Sequence, residues 1–106
     1  MNRVELLKDY CQNEPENPFN LYALALELKK INPEEARPVF EKLLIEFKDY
    51  EAQYYASAAF FAELGEIEKA KTVYEQGLII TRRDPMSKTY KELKSAYDMF
   101  LFEHFD

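Results

Sequence analysis

The chain repeats itself, and that limits what it can fold into more than any other property it has. Ala36-x3-Phe40, followed by Leu43-Leu44, returns 34 residues later as Ala70-x3-Tyr74, followed by Gly77-Leu78. Both copies lie in segments rich in Glu, Lys and Leu, which favour helix. A second matching segment precedes each: Phe19-x2-Tyr22-Ala23-x2-Leu26 returns as Tyr54-x2-Ser57-Ala58-x2-Phe61, here 35 residues on. The unequal offsets assign one extra residue to the first copy's inter-helix turn, Lys30-Ile31-Asn32-Pro33. A unit of this length is a helical hairpin, which buries its apolar stripe only by stacking on neighbours.

The punctuation between segments agrees with helix, turn, helix. Asn32 before Pro33-Glu34-Glu35 predicts a helix start: a capping oxygen, a proline where no N–H is needed, and acids at the positive end of the dipole. Gly65 in Leu64-Gly65-Glu66 predicts the left-handed residue that ends a helix. Pro85 is read as opening the last one. Six helices are predicted near 2–13, 18–30, 33–48, 51–64, 67–82 and 86–103, with short connections that make neighbours antiparallel. Pro38 falls inside the third, where it removes a backbone hydrogen bond at a cost of up to about 3 kcal/mol. A bend or a loosened first turn is expected there.

Composition excludes several alternatives. At 106 residues a single domain is expected,. Hydrophobic residues at 47% are too many for a disordered chain, and two glycines are too few for the turns of an all-β fold,. A net charge of −6 lacks the basic face that nucleic acid or an anionic membrane requires,. No apolar run approaches the roughly 20 residues of a membrane span, and the charged N-terminal segment does not read as a signal peptide. The lone Cys11 cannot pair within the chain,. These readings together predict a cytoplasmic protein.

With a large aromatic, a small residue and an aromatic on one helix, then Ala-x3-aromatic on the next, the sequence resembles the tetratricopeptide repeat, in the form of a small bacterial-type member. Tyr54, Ala58, Phe61, Gly65, Ala70, Tyr74 and Gly77 carry the match in the second repeat, with Ser57 where leucine is usual. Phe19, Tyr22, Ala23, Leu26, Ala36 and Phe40 carry it in the first, without the turn glycine. The resemblance covers about two thirds of the chain. It implies an all-α fold of antiparallel hairpins stacked as a short right-handed superhelix. Residues 1–15 would form an N-terminal capping helix, 16–50 and 51–84 the repeats, and 85–106 a C-terminal capping helix. Tyr22, Phe40, Phe61 and Tyr74 are expected in the core. Val4, Leu6, Leu7, Tyr10 and Cys11 would pack the first cap, and Met86, Tyr90, Leu93, Tyr97, Phe100 and His104 form a seam for the last.

The resemblance also implies a mode of action: a scaffold binding a peptide or helix of another protein in the concave groove of its first, or A, helices. Asn20, Leu24 and Glu27 from one repeat and Tyr55, Ala59 and Ala62 from the other would line it. These residues could equally serve only to meet a capping helix. Family members that grip a terminal carboxylate use several convergent Lys, Arg and Asn donors, and that set is missing here. A largely apolar groove with Tyr55 as its amphipathic anchor suits an apolar or aromatic-bearing segment. The second reading is self-association. Met99, Phe102 and Phe105 fall opposite the packing seam of the last helix, so that helix is apolar nearly all round and offers a homodimer contact, unless the tail folds back on its own domain. Lys88, Lys91 and Lys94 fall at helical spacing and read as a solvated face, the alternative being a contact with an acidic partner. No catalytic set, cofactor site or metal-ligand spacing is expected: the only histidine is His104, and no glycine-rich phosphate loop is present.

Overall fold

A computed structural model describes residues 2–105, and among them every regular element is helical: α1 (Arg3–Asn13), α2 (Pro18–Ile31), α3 (Pro33–Glu46), α4 (Gln53–Glu63), α5 (Ile67–Thr81) and α6 (Lys88–Phe105). The fold is all-α, as the repeat pattern implied. The chain divides into two compact units, Met1–Tyr50 and Glu51–Asp106.

In the first unit α2 packs against both α1 and α3. Asn side chains start the first two helices. Asn2 Oδ1 accepts from the Glu5 N–H at 2.9 Å and Asn17 Oδ1 from Phe19 at 3.0 Å, with Pro18 in the first turn,. Of the α1 residues expected to pack, only Leu7 is buried. Leu6 and Tyr10 are exposed and Val4 is half-buried. Arg3 reaches Glu27 on α2 and Lys8 reaches Glu35 on α3, both at the surface.

The buried stripe of α2 corrects the sequence reading. Phe19 is 60% exposed, and Tyr22, Ala23 and Leu26 are only half-buried. The inward residues are Leu21, Leu24, Ala25 and Leu28. Ala25, fully buried, is therefore the counterpart of the fully buried Ala58, an offset of 33 residues and not 35. With the second helices 34 residues apart, the first hairpin's turn is one residue shorter than the second's, not one longer.

Asn32 alone makes that turn. Its N–H donates to Leu28 O at 2.7 Å, closing α2, and its carbonyl accepts from Glu35 and Ala36 at 3.0 and 3.1 Å, opening α3. Its backbone is extended and its side chain makes no capping bond. The expected side-chain cap is replaced by this carbonyl, which also explains why no glycine is needed. Pro38 sits within a continuous α3, on its exposed side, where the lost hydrogen bond faces water,. Ala36, Phe40, Leu43 and Leu44 face inward.

In the second unit α4, α5 and α6 touch one another. The turn from α4 to α5 follows the sequence reading: Gly65 has φ +82°, Gly65 N–H donates to Ala62 O and Glu66 N–H to Phe61 O, both at 3.0 Å. That double closure is the Schellman ending, for which a residue without Cβ is favoured. Tyr54, Ala58, Phe61, Ala70, Val73 and Tyr74 are buried. Ser57, where leucine is usual, is fully buried and its Oγ has no hydrogen-bond partner. The three helices meet at Gly77: a Cβ there would lie 2.6 Å from Cβ and Cγ of Tyr54 on α4 and 2.8 Å from Cδ2 of Leu93 on α6.

α6 begins later than expected. Pro85 and Met86 lie in the preceding turn, with Met86 75% exposed and outside the seam. Ser87 is the cap: its Oγ accepts from Tyr90 N–H and its carbonyl from Lys91 N–H, both at 3.1 Å,. Leu93 and Phe100 are buried; the Phe100 ring lies 5.1 Å from Tyr74 and 4.9 Å from His104.

Tyr97 on the same seam donates to the Glu75 carboxylate at 2.8 Å. Burial, then that hydrogen bond and the charges of Glu75 and Asp98, push its phenol up to about 12,. Because the folded value lies above the ordinary 10.0, the stability it contributes is complete below pH 10 and is lost as pH rises through about 12,. Wild type should thus be more stable than Tyr97→Phe at neutral pH, and the difference should shrink over that window. Urea unfolding of both proteins at stepped pH measures it; a pH-independent gap would refute the assignment.

Candidate protein-binding face

The inward stripe of each A helix fixes what the helix presents outward. On α4 the packing residues Tyr54, Ala58 and Phe61 leave Tyr55, Ala59 and Ala62 on the adjoining face, spaced by four and three residues,. Tyr55 is 54% exposed, while Ala59 and Ala62 are half-buried. The result is one large amphipathic side chain beside a low, small-residue surface.

On α2 the corrected register changes the set. Asn20 and Leu24 are 9% and 5% exposed, so they belong to the interior and leave the expected lining. The cause is the two-residue shift of the buried stripe. Glu27 is half-buried and held by Arg3 at 3.0 Å and Lys30 at 3.3 Å. Burial raises its carboxyl, but the bonds from Lys30 and Arg3 outweigh that and hold it below the ordinary carboxylate range. The counterparts of Tyr55, Ala59 and Ala62, 33 residues earlier, are Tyr22, Leu26 and Lys29, all half-buried. The Tyr22 ring meets Tyr50 edge-on, with centroids 5.7 Å apart,. Burial pushes both phenols up.

Sequence reasoning missed Tyr22, Leu26 and Lys29 as surface residues because it favoured aromatic identity. Leu21-x2-Leu24-Ala25-x2-Leu28 was the available signal. Cys11 is half-buried; burial pushes its thiol up against the opposing influence of Lys42, the reverse of an activated nucleophile,. Among the described residues no cluster of His, Cys, Asp and Glu could hold a metal ion, and no helix is long and apolar enough to cross a membrane.

The solution NMR structure of a tetratricopeptide repeat domain protein from Salinibacter ruber is similar to this chain. The two are 32% identical, with a TM-score of 0.77, over 87% of this chain and 94% of that one. The chain belongs to the tetratricopeptide repeat family. No family model and no curated protein matches the sequence. A tetratricopeptide fold is in general a scaffold for protein–protein interaction and typically not an enzyme. In this tetratricopeptide protein the signature of the first repeat is carried by Leu21, Leu24, Ala25 and Leu28, and that of the second by Tyr54, Ser57, Ala58 and Phe61.

The C-terminal helix of the tetratricopeptide fold presents Met99 and Phe102 outward, 61% and 69% exposed. Phe105 differs from the sequence expectation. It lies 5.9 Å from Phe100, with the Lys71 ammonium 4.8 Å from its ring centroid, so a cation–π contact turns it back toward its own unit,.

Proposed function

We propose that this tetratricopeptide protein is a scaffold that takes an apolar or aromatic-bearing segment of a partner protein on the outward face of α4, with Tyr55 as the anchor. The exposure of Tyr55 beside Ala59 and Ala62 carries the reading. An aromatic side chain has few rotamers to freeze, and small neighbours let a partner backbone come close. Tyr55, Ala59 and Ala62 supply no cation, whereas a terminal carboxylate asks for several convergent donors,. An acidic tail is therefore not the expected ligand.

A random peptide library selected on the full chain tests this. Enriched sequences should carry an aromatic or large aliphatic residue. Tyr55→Ala should weaken them by about thirtyfold, the scale of an interface hot spot of about 2 kcal/mol, with the circular dichroism unchanged. Ligands that bind Tyr55→Ala as tightly as wild type, or an enrichment of acidic C-termini, would refute the reading.

A further inference from the structure

We infer that the outer face of α6 is a self-pairing surface, on which a second copy of this chain docks its own α6 antiparallel. This is independent of the Tyr55 face. The inner face of α6 is already used by Leu93, Tyr97 and Phe100. Helical spacing places Lys88, Lys91, Ser95, Met99 and Phe102 along the opposite side, all exposed,.

That stripe is asymmetric along its length. Its N-terminal half carries Lys88 and Lys91; its C-terminal half carries Met99 and Phe102, flanked by Asp98 and Glu103. Lys91 has no carboxylate within ion-pair distance among the described residues. Among the described residues the ion-pair contact of Glu103 is a distant one of 3.9 Å with His104. A C2 dimer presents the same patch twice, so the patch must complement itself. Parallel pairing would set lysines against lysines. Antiparallel pairing centred between Ser95 and Met99 sets Lys91 against Phe102 and Glu103 of the second copy, a cation beside an aromatic face and a carboxylate. The chain already uses that cation–π chemistry internally, with Lys69 over Phe61 at 4.5 Å and Lys71 over Phe105 at 4.8 Å. Ser95, small and near the centre, lets the two helices approach. At about 27 Å, the length of an 18-residue helix, the contact is short and the dimer correspondingly weak,.

Sedimentation equilibrium of the full chain from micromolar to millimolar concentration tests the inference. Wild type should show a monomer–dimer equilibrium that weakens with salt. Phe102→Glu and Lys91→Glu should each raise the dissociation constant at least tenfold with unchanged helicity, since both residues are exposed. Lys91→Glu combined with Glu103→Lys should restore pairing, and Tyr55→Ala should leave it untouched. A monomer at every concentration overturns the proposal, as does a dimer indifferent to Phe102→Glu and Lys91→Glu. A double variant no tighter than Lys91→Glu alone overturns the antiparallel register.

Discussion

Gly77→Ala is expected to destabilise the protein by at least about 2 kcal/mol, measured as a loss in chemical or thermal unfolding. Two effects oppose each other. Alanine in a helix interior gains about 1 kcal/mol over glycine through backbone entropy and propensity. Against this, the new methyl would sit 2.6 Å from Cβ of Tyr54, an atom that no rotamer change can withdraw,. Leu93 Cδ2 at 2.8 Å can rotate away, but Tyr54 can retreat only if α4 moves. The clash is therefore relieved by separating helices, and packing outweighs propensity. A variant as stable as wild type would show that α4 and α5 part at little cost.

Phe40→Ala is expected to cost more, about 3–5 kcal/mol, because it removes a fully buried aromatic ring from α3 and leaves a cavity behind,. The first unit has a small core in which Leu21, Leu24, Leu28, Leu43 and Leu44 supply most of the remaining bulk. A loss of this size approaches the whole stability of a small domain, typically about 5–15 kcal/mol. Amide exchange resolved by residue should show it first in α2 and α3. A loss below about 1 kcal/mol would mean that the leucines close over the hole.

The two repeats were not equally legible in the sequence. In the second, every cue pointed the same way: Tyr54, Ala58 and Phe61 inward, Gly65 left-handed, Ala70, Tyr74 and Gly77 on the partner helix. In the first, Phe19 and Tyr22 look like the larger hydrophobic payload of α2, yet the leucines of that helix turn inward, Phe19 stays outside and Tyr22 lies at the edge. Aromatic identity misled where the spacing of Leu21, Leu24, Ala25 and Leu28 would have served. That single shift puts Asn20 and Leu24 in the core and not at a surface, so two of the six expected lining residues turn on the register of one helix. The start of α6 was misplaced for a different reason: proline and serine both mark helix starts, and only the hydrogen bond from Tyr90 to Ser87 distinguishes them,. Tyr55, Met99 and Phe102 were legible because helical periodicity alone puts them off the packing stripe.

The one-residue joint at Asn32 has a consequence for how the first hairpin comes apart. Helix ends ordinarily fray independently, each losing its terminal turn without disturbing the next element. Here one residue's N–H is the last donor of α2 and its carbonyl is the first acceptor of α3. Melting the final turn of α2 releases Asn32 from Leu28 and with it the anchor for Glu35 and Ala36. The C-terminal end of one helix and the N-terminal end of the other therefore unravel as a single cooperative step, and at this joint the two helices share one fate.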